Sequence, residues 1–168
     1  MIKTFNSLLV TMFGLGKIKF MPGTLGSLAT VIILFYLFHS LNISSNIILI
    51  GLIIIFIYSF YAVSKYIEDN KNKDPGEVII DEFLGQSIPI YLYEVSHGVT
   101  KASNEAIVYY TLFFILFRYF DIMKPFPVNF FDKNFKNSFG VIMDDICAGL
   151  YVVLTVVCFM IIKSHVLW

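Results

Sequence analysis

Charge is scarce in this chain. Only 14% of its 168 residues are Asp, Glu, Lys or Arg, against about 25% in an ordinary soluble domain. With 58% hydrophobic residues and a mean hydropathy of +0.79, the sequence reads as an integral membrane protein. Neither sign dominates: 12 basic residues face 12 acidic ones, so no global field favours nucleic acid. Cysteine is nearly missing. Cys147 and Cys158 fall on one apolar run without metal-ligand spacing, and are expected to be reduced, buried small hydrophobes. No Cys is followed by an Arg six positions on, which excludes a Cys-phosphatase loop, and both a DxDxT nucleophile motif and a Walker A loop are missing. The N-terminus is too weakly apolar for a secretory h-region and has no clear cleavage site, so removal of a targeting segment is not expected.

Long apolar runs are what the chain has instead. Residues 25–41, a run of about 17 that is near the lower limit for crossing a bilayer, are followed by the basic-free loop HSLNISSN. Residues 47–63 form a second run, so the two predict a helical hairpin across the bilayer. Residues 106–117 and 146–162 are two further runs. Between them, residues 83–93 are shorter and carry Pro89, which predicts a tilted or re-entrant helix kinked at the carbonyl of Gly85. Asp74, Pro75 and Glu77 read as N-cap, N1 and N3 of that helix, which would put Asp81 and Glu82 about two turns inside it. Phe5, Leu8, Leu9, Met12 and Phe13 recur at helical spacing and suit an N-terminal interfacial helix. The expectation is an all-α, polytopic membrane bundle of four to five membrane helices plus that interfacial helix, residues 1–168 forming a single domain.

If residues 83–93 cross or re-enter, one side holds ten basic residues and the other only Lys101 and Lys163. The positive-inside rule then makes the first side cytoplasmic. That assignment gathers four polar blocks at one face, with His39, His97 and His165 on the other, so a His-ligated zinc site is not expected. The first block is PGTLGS, where Thr24 reads as a helix N-cap and the hydroxyls of Thr24 and Ser27 could hold a phosphate beside free N–H groups. Asp81 and Glu82 form the second. In the third, Asp121 stands three residues after Arg118 and three before Lys124, so the three charges share one side of a helix that Pro125 and Pro127 then end. Asp144 and Asp145 are the fourth. The second and fourth echo each other: VIIDE at 78–82 matches VIMDD at 141–145, and Gly85 and Gly149 follow where they would permit close helix approach.

Ionisable groups near lipid cost at least ~2.5 kcal/mol on insertion scales and are usually paired or functional. Asp81, Glu82, Asp121, Asp144 and Asp145 supply hard carboxylate oxygens suited to Mg²⁺, which bridges phosphate oxygens. Arg118 and Lys124 would neutralise a phosphate and its transition state. The expectation is that the two acid pairs face each other near Asp121 and share one divalent ion; a separation beyond ~12 Å would forbid it, given Mg²⁺ ligand bonds of ~2.1 Å. An alternative from another class, a small transporter or channel, would need acids spread through the membrane depth rather than gathered at one face.

In order and spacing, PGTLGS (22–27), DPGEVIIDEFLG (74–85), FRYFDIMKPFP (117–127) and VIMDDICAG (141–149) resemble the bacterial phosphatidylglycerophosphatase A family. The resemblance covers nearly the whole chain. It implies a helical, Mg²⁺-dependent, multi-pass phosphatase of the bacterial inner membrane, its active face cytoplasmic. The implied reaction converts the lipid phosphatidylglycerophosphate to phosphatidylglycerol and phosphate. Asp81, Asp121, Lys124 and Asp144 are then the expected catalytic residues, with Arg118, Lys124, Thr24 and Ser27 on the substrate phosphate. Two departures stand out: Met21 precedes PGT where a small residue is usual, and Asn137-Ser138-Phe139-Gly140 replaces a more glycine-rich approach to the paired aspartates.

Overall fold

A computed structural model describes residues 2–69, 76–97 and 103–166. Seven helices account for nearly all of them, and no strand occurs among the described residues. They are α1 (Ile2–Val10), α2 (Pro22–Phe35, continuing as a π-helical turn Tyr36–Ser40), α3 (Ser45–Asp69), α4 (Ile80–His97), α5 (Ser103–Met123), α6 (Val128–Asn134) and α7 (Ser138–Val166). The helices holding the four strongest apolar runs, over Pro22–Ser40, Ser45–Glu68, Asn104–Met123 and Ser138–His165, are long and apolar enough to cross a membrane. This is a membrane protein, and its exterior agrees: Ile50, Ile54 and Ile57 of α3 lie on one helical face and are each more than half exposed.

The fifth element, α4, is the axle of the bundle. Its 18 residues reach about 27 Å at 1.5 Å per residue, and ten of them are buried, Pro89 and Gln86 included. At one end Glu82 lies under Gly23 of α2, and Gly85 against α7. At the other, Glu94 meets His39 at the end of α2 (3.2 Å) and Tyr110 near the start of α5 (3.0 Å). Parallel to α2 and α7 and antiparallel to α5, α4 therefore runs the depth of the bundle. Two apolar clusters hold it there. One joins Leu34, Ile90, Tyr110, Phe117 and Val152; the other joins Val10, Val63, Ile79, Leu84 and Ile142, seating α1 against α3 and the chain entering α4.

Several local expectations are corrected. Asp74 and Pro75, the expected cap, lie outside the described residues; residues 76–79 are not helical, and α4 begins only at Ile80. Tertiary contacts override the capping signal, because the Ile79 N–H donates to the Val10 carbonyl (3.0 Å) and the Glu77 carbonyl is pressed against Gly16. Asp81 and Glu82 consequently occupy the first turn of α4, beside free helix N–H groups that favour negative charge. Thr24 is not an N-cap: Met21, in the left-handed region at φ 48°, holds that place and Pro22 begins the helix. Lys124 lies beyond the end of α5, also left-handed at φ 45°, so it leaves the helix face it was expected to share with Asp121. Cys147 is buried as expected, but Cys158 faces outward. The segment expected to be a plain connection contains α6, and α7 starts at Ser138, two turns before its aspartates.

Candidate active site

At the end of the bundle where α4 and α7 begin, a cleft of about 520 Å³ opens among the starts of α2, α4 and α7, the end of α5, and α6. Glycine makes it possible. A Cβ on Gly85 would strike the Asp145 carbonyl, and one on Gly149 would strike the Gly85 carbonyl, so α4 and α7 touch backbone to backbone at their acid pairs. The contact brings oxygens of Asp81, Glu82 and Asp145 within 4.8 Å of one another. Asp121 lines the same cleft as these three.

Asp81 and Asp145 are nearly closed off from water, and Glu82 is partly exposed. Asp81 is 8% and Asp145 3% exposed, and Asp81 Oδ1, Glu82 Oε2 and Asp145 Oδ1 have no hydrogen-bond partner among the described residues. Buried carboxylates so close together repel strongly in a poorly screening medium, and unpaired buried polar atoms are costly. A hard divalent cation relieves both, and an all-oxygen donor set with unused lone pairs fits Mg²⁺.

Cations ring the acids. Arg118 Nη1 lies 2.6 Å from Asp121 Oδ2, and the Arg118 side chain lines the cleft. Lys124 is held between Asp132 (2.6 Å) and Asp144 (3.0 Å). Burial works against its charge, but the bonds to Asp132 and Asp144 hold its ammonium above the ordinary lysine range. Asp144 is thereby turned from the three-carboxylate group toward Lys124, while its Oδ1 accepts from the Asp145 N–H (3.0 Å). Six acids and four bases line the cleft.

The start of α2 forms the cleft's roof. Gly23 packs so tightly on Glu82 that a Cβ would meet its carboxylate, and Thr24 lines the opening. Ser27 does not line it; buried, it donates to the Gly23 carbonyl (2.9 Å) of its own helix. The structure thus gathers Asp81, Glu82, Asp121, Asp144, Asp145, Arg118, Lys124 and Thr24 in one place and leaves Ser27 outside. Three charged residues of the cleft are not marked by the sequence motifs. Asp132, Lys133 and Lys136 sit on or just after α6, whose charges alternate with Phe130, Phe131 and Phe135; that amphipathic pattern was the available signal. Gln86, wholly buried one turn beyond Glu82, does not line the cleft, and both its amide atoms lack a partner among the described residues.

A family model described as phosphatidylglycerophosphatase A matches residues 8–160. A phosphatidylglycerophosphatase A of Haemophilus influenzae is 36% identical over 149 residues, covering 89% of this chain and 85% of that protein. One from Escherichia coli is 29% identical, over 85% of this chain and 76% of its own length. A Bacteroides thetaiotaomicron protein with a provisional phosphatidylinositol-3-phosphatase name is 34% identical over 86% of each chain. No solved structure gives a significant match.

Proposed function

The chain belongs to the phosphatidylglycerophosphatase A family, and on that premise we propose that it hydrolyses phosphatidylglycerophosphate to phosphatidylglycerol and phosphate at the cytoplasmic face of a bacterial inner membrane, with Mg²⁺ as cofactor. The observation that carries the reading is the group of Asp81, Glu82 and Asp145 oxygens, within 4.8 Å of one another, in a cleft at one bundle end that Arg118 also lines. Six acids against four bases leave the cleft two charges negative. One divalent ion held there would offset that excess before a phosphate dianion binds.

Asp81, Glu82 and Asp145 are the residues that would hold the ion, with Asp121 beside them. Bound there, Mg²⁺ supplies Lewis-acid polarisation of a phosphoryl oxygen. Arg118, the free N–H groups at the start of α2 and the Thr24 hydroxyl orient the phosphate. Lys124 fixes Asp132 and Asp144 with two of its three N–H donors and has one left for an oxygen of the departing phosphate. Water adds across the P–O ester bond: its oxygen joins phosphorus, and a proton goes to the glycerol oxygen that leaves. A transporter reading is disfavoured because the described lengths of α4, α5 and α7 between the two bundle ends carry no acid.

The test is phosphate release by purified protein in detergent. Phosphatidylglycerophosphate should be cleaved, excess chelator should abolish cleavage, and added Mg²⁺ should restore it. Phosphatidylinositol 3-phosphate and soluble phosphate esters serve as comparators. Full activity in chelator would overturn the metal assignment, and preferential cleavage of the inositol lipid would overturn the substrate.

A further inference from the structure

Two of the four bases lining the cleft have no acid opposite them. Arg118 leans on Asp121 and Lys124 bridges Asp132 and Asp144, whereas Lys133 and Lys136 form no ion pair among the described residues. Both are exposed and both line the cleft. A charge that merely solvates a surface does not need to face a cavity.

Their depth is set by the helix that carries them. α6 lies between the end of one spanning helix at Met123 and the start of another at Ser138. Val128 anchors it in the bundle, while Phe126 and Phe130 stay exposed at 72% and 44%. Exposed aromatics on a short helix and on the turn leading into it, beside spanning segments, mark the lipid headgroup level. Lys133 and Lys136 therefore stand where the phosphodiesters of bilayer lipids lie, and they open onto the same cleft as the buried acids.

We propose that Lys133 and Lys136 form a second anion station, which binds the phosphodiester of a lipid whose terminal phosphomonoester occupies the Arg118–acid cluster. The proposal rests on the lipid phosphatase reading and deepens it to substrate selection. A lipid with a monoester and a diester joined by a glycerol carries one anion for each station. A lipid whose monoester is attached directly to diacylglycerol fills only one. The free capacity of the inner cations serves the terminal phosphomonoester, so the second negative charge of the longer headgroup is met at the rim.

The experiment compares the parent with K133Q/K136Q in nonionic micelles, where no anionic lipid surface can mimic the effect. For phosphatidylglycerophosphate the double variant should raise KM about tenfold, the scale of one lost charge-assisted contact, with kcat within about twofold. Inhibition by phosphatidylglycerol, which carries only the diester, should weaken by a similar factor. Inhibition by inorganic phosphate should not change, and K133R/K136R should restore the parental KM. Unchanged phosphatidylglycerol inhibition, or equal weakening for phosphate, would overturn the station. If the parent releases no phosphate from the lipid, the phosphatase reading itself has failed. Equilibrium binding of spin-labelled phosphatidylglycerol to parent and double variant then decides the station separately: tighter binding to the parent supports it, and equal binding overturns it.

Discussion

Asp145 shows how much of the site a residue-level reading can reach. Two acids inside an apolar run demanded a counter-charge, and a matching pair one echo away suggested where to look. The structure brings Asp145 to Asp81 and Glu82. Asp144, identical in type and adjacent in sequence, goes instead to Lys124, because successive helical residues point about 100° apart. Side-chain type cannot distinguish such neighbours; the register of packing does. Asp145→Asn should separate the roles. Replacing one of three crowded carboxylates relieves repulsion, so in chelator the variant should unfold at a higher temperature than the parent, by about 2–4 °C for each kcal/mol relieved. Added Mg²⁺ should stabilise the parent by mass action and the variant little, reversing their order, while turnover falls at least about a hundredfold. An Mg²⁺-dependent thermal shift as large in the variant as in the parent would remove Asp145 from the ion site.

At the scale of elements, the apolar runs became helices where expected, since length and hydropathy alone suffice for a spanning segment. The start of α4 was misjudged because a local capping signal lost to the Ile79–Val10 backbone bond. α6 is hard to read from the sequence because seven residues behind two prolines carry too little periodicity to stand out. The glycines were more informative. Gly85 and Gly149 each sit one turn past an acid pair, and in the fold each faces backbone of the other's helix. Neither has a positive φ, so the constraint is space and not conformation. Gly85→Ala and Gly149→Ala should therefore destabilise, although alanine is the better helix former by up to ~1 kcal/mol. Overpacking of about 1–3 kcal/mol wins, lowering the unfolding midpoint, and spreading the carboxylates should cost activity even at a temperature where the variant is folded. Gly51, which has open space around it in α3, is the control: Gly51→Ala should be neutral or mildly stabilising. Indistinguishable melting of all three variants would show that α4 and α7 are not in close contact.

For the whole molecule, the governing fact is that α4 connects two unlike ends. One end carries the cleft with its six acids and four bases; the other carries the Glu94 carboxylate, received by His39 and Tyr110. The composition could not show this, because α4 is too polar at its start to register as a span. The charge distribution carried the signal: ten basic residues fall on one side only if the chain passes through the bundle between Lys73 and Lys101. Were α4 to lie along one surface, Arg118, Lys124, Lys133 and Lys136 would be separated from Glu82 by the thickness of the bilayer, yet Arg118 and Glu82 both lie against Gly23. Single cysteines in a background of Cys147→Ala and Cys158→Ala test the arrangement in intact cells. Asn46→Cys at the start of α3 and Ser96→Cys near the end of α4, both exposed, should react with a membrane-impermeant maleimide from outside. Asn134→Cys at the end of α6, also exposed, should react only after permeabilisation. Labelling of Asn46→Cys and Asn134→Cys from the same side would break the path of α4 through the bundle. The inverse pattern, with Asn134→Cys alone labelled from outside, would keep the bundle but turn the cleft to the outer face, and the cytoplasmic assignment would fall while the site's geometry stood.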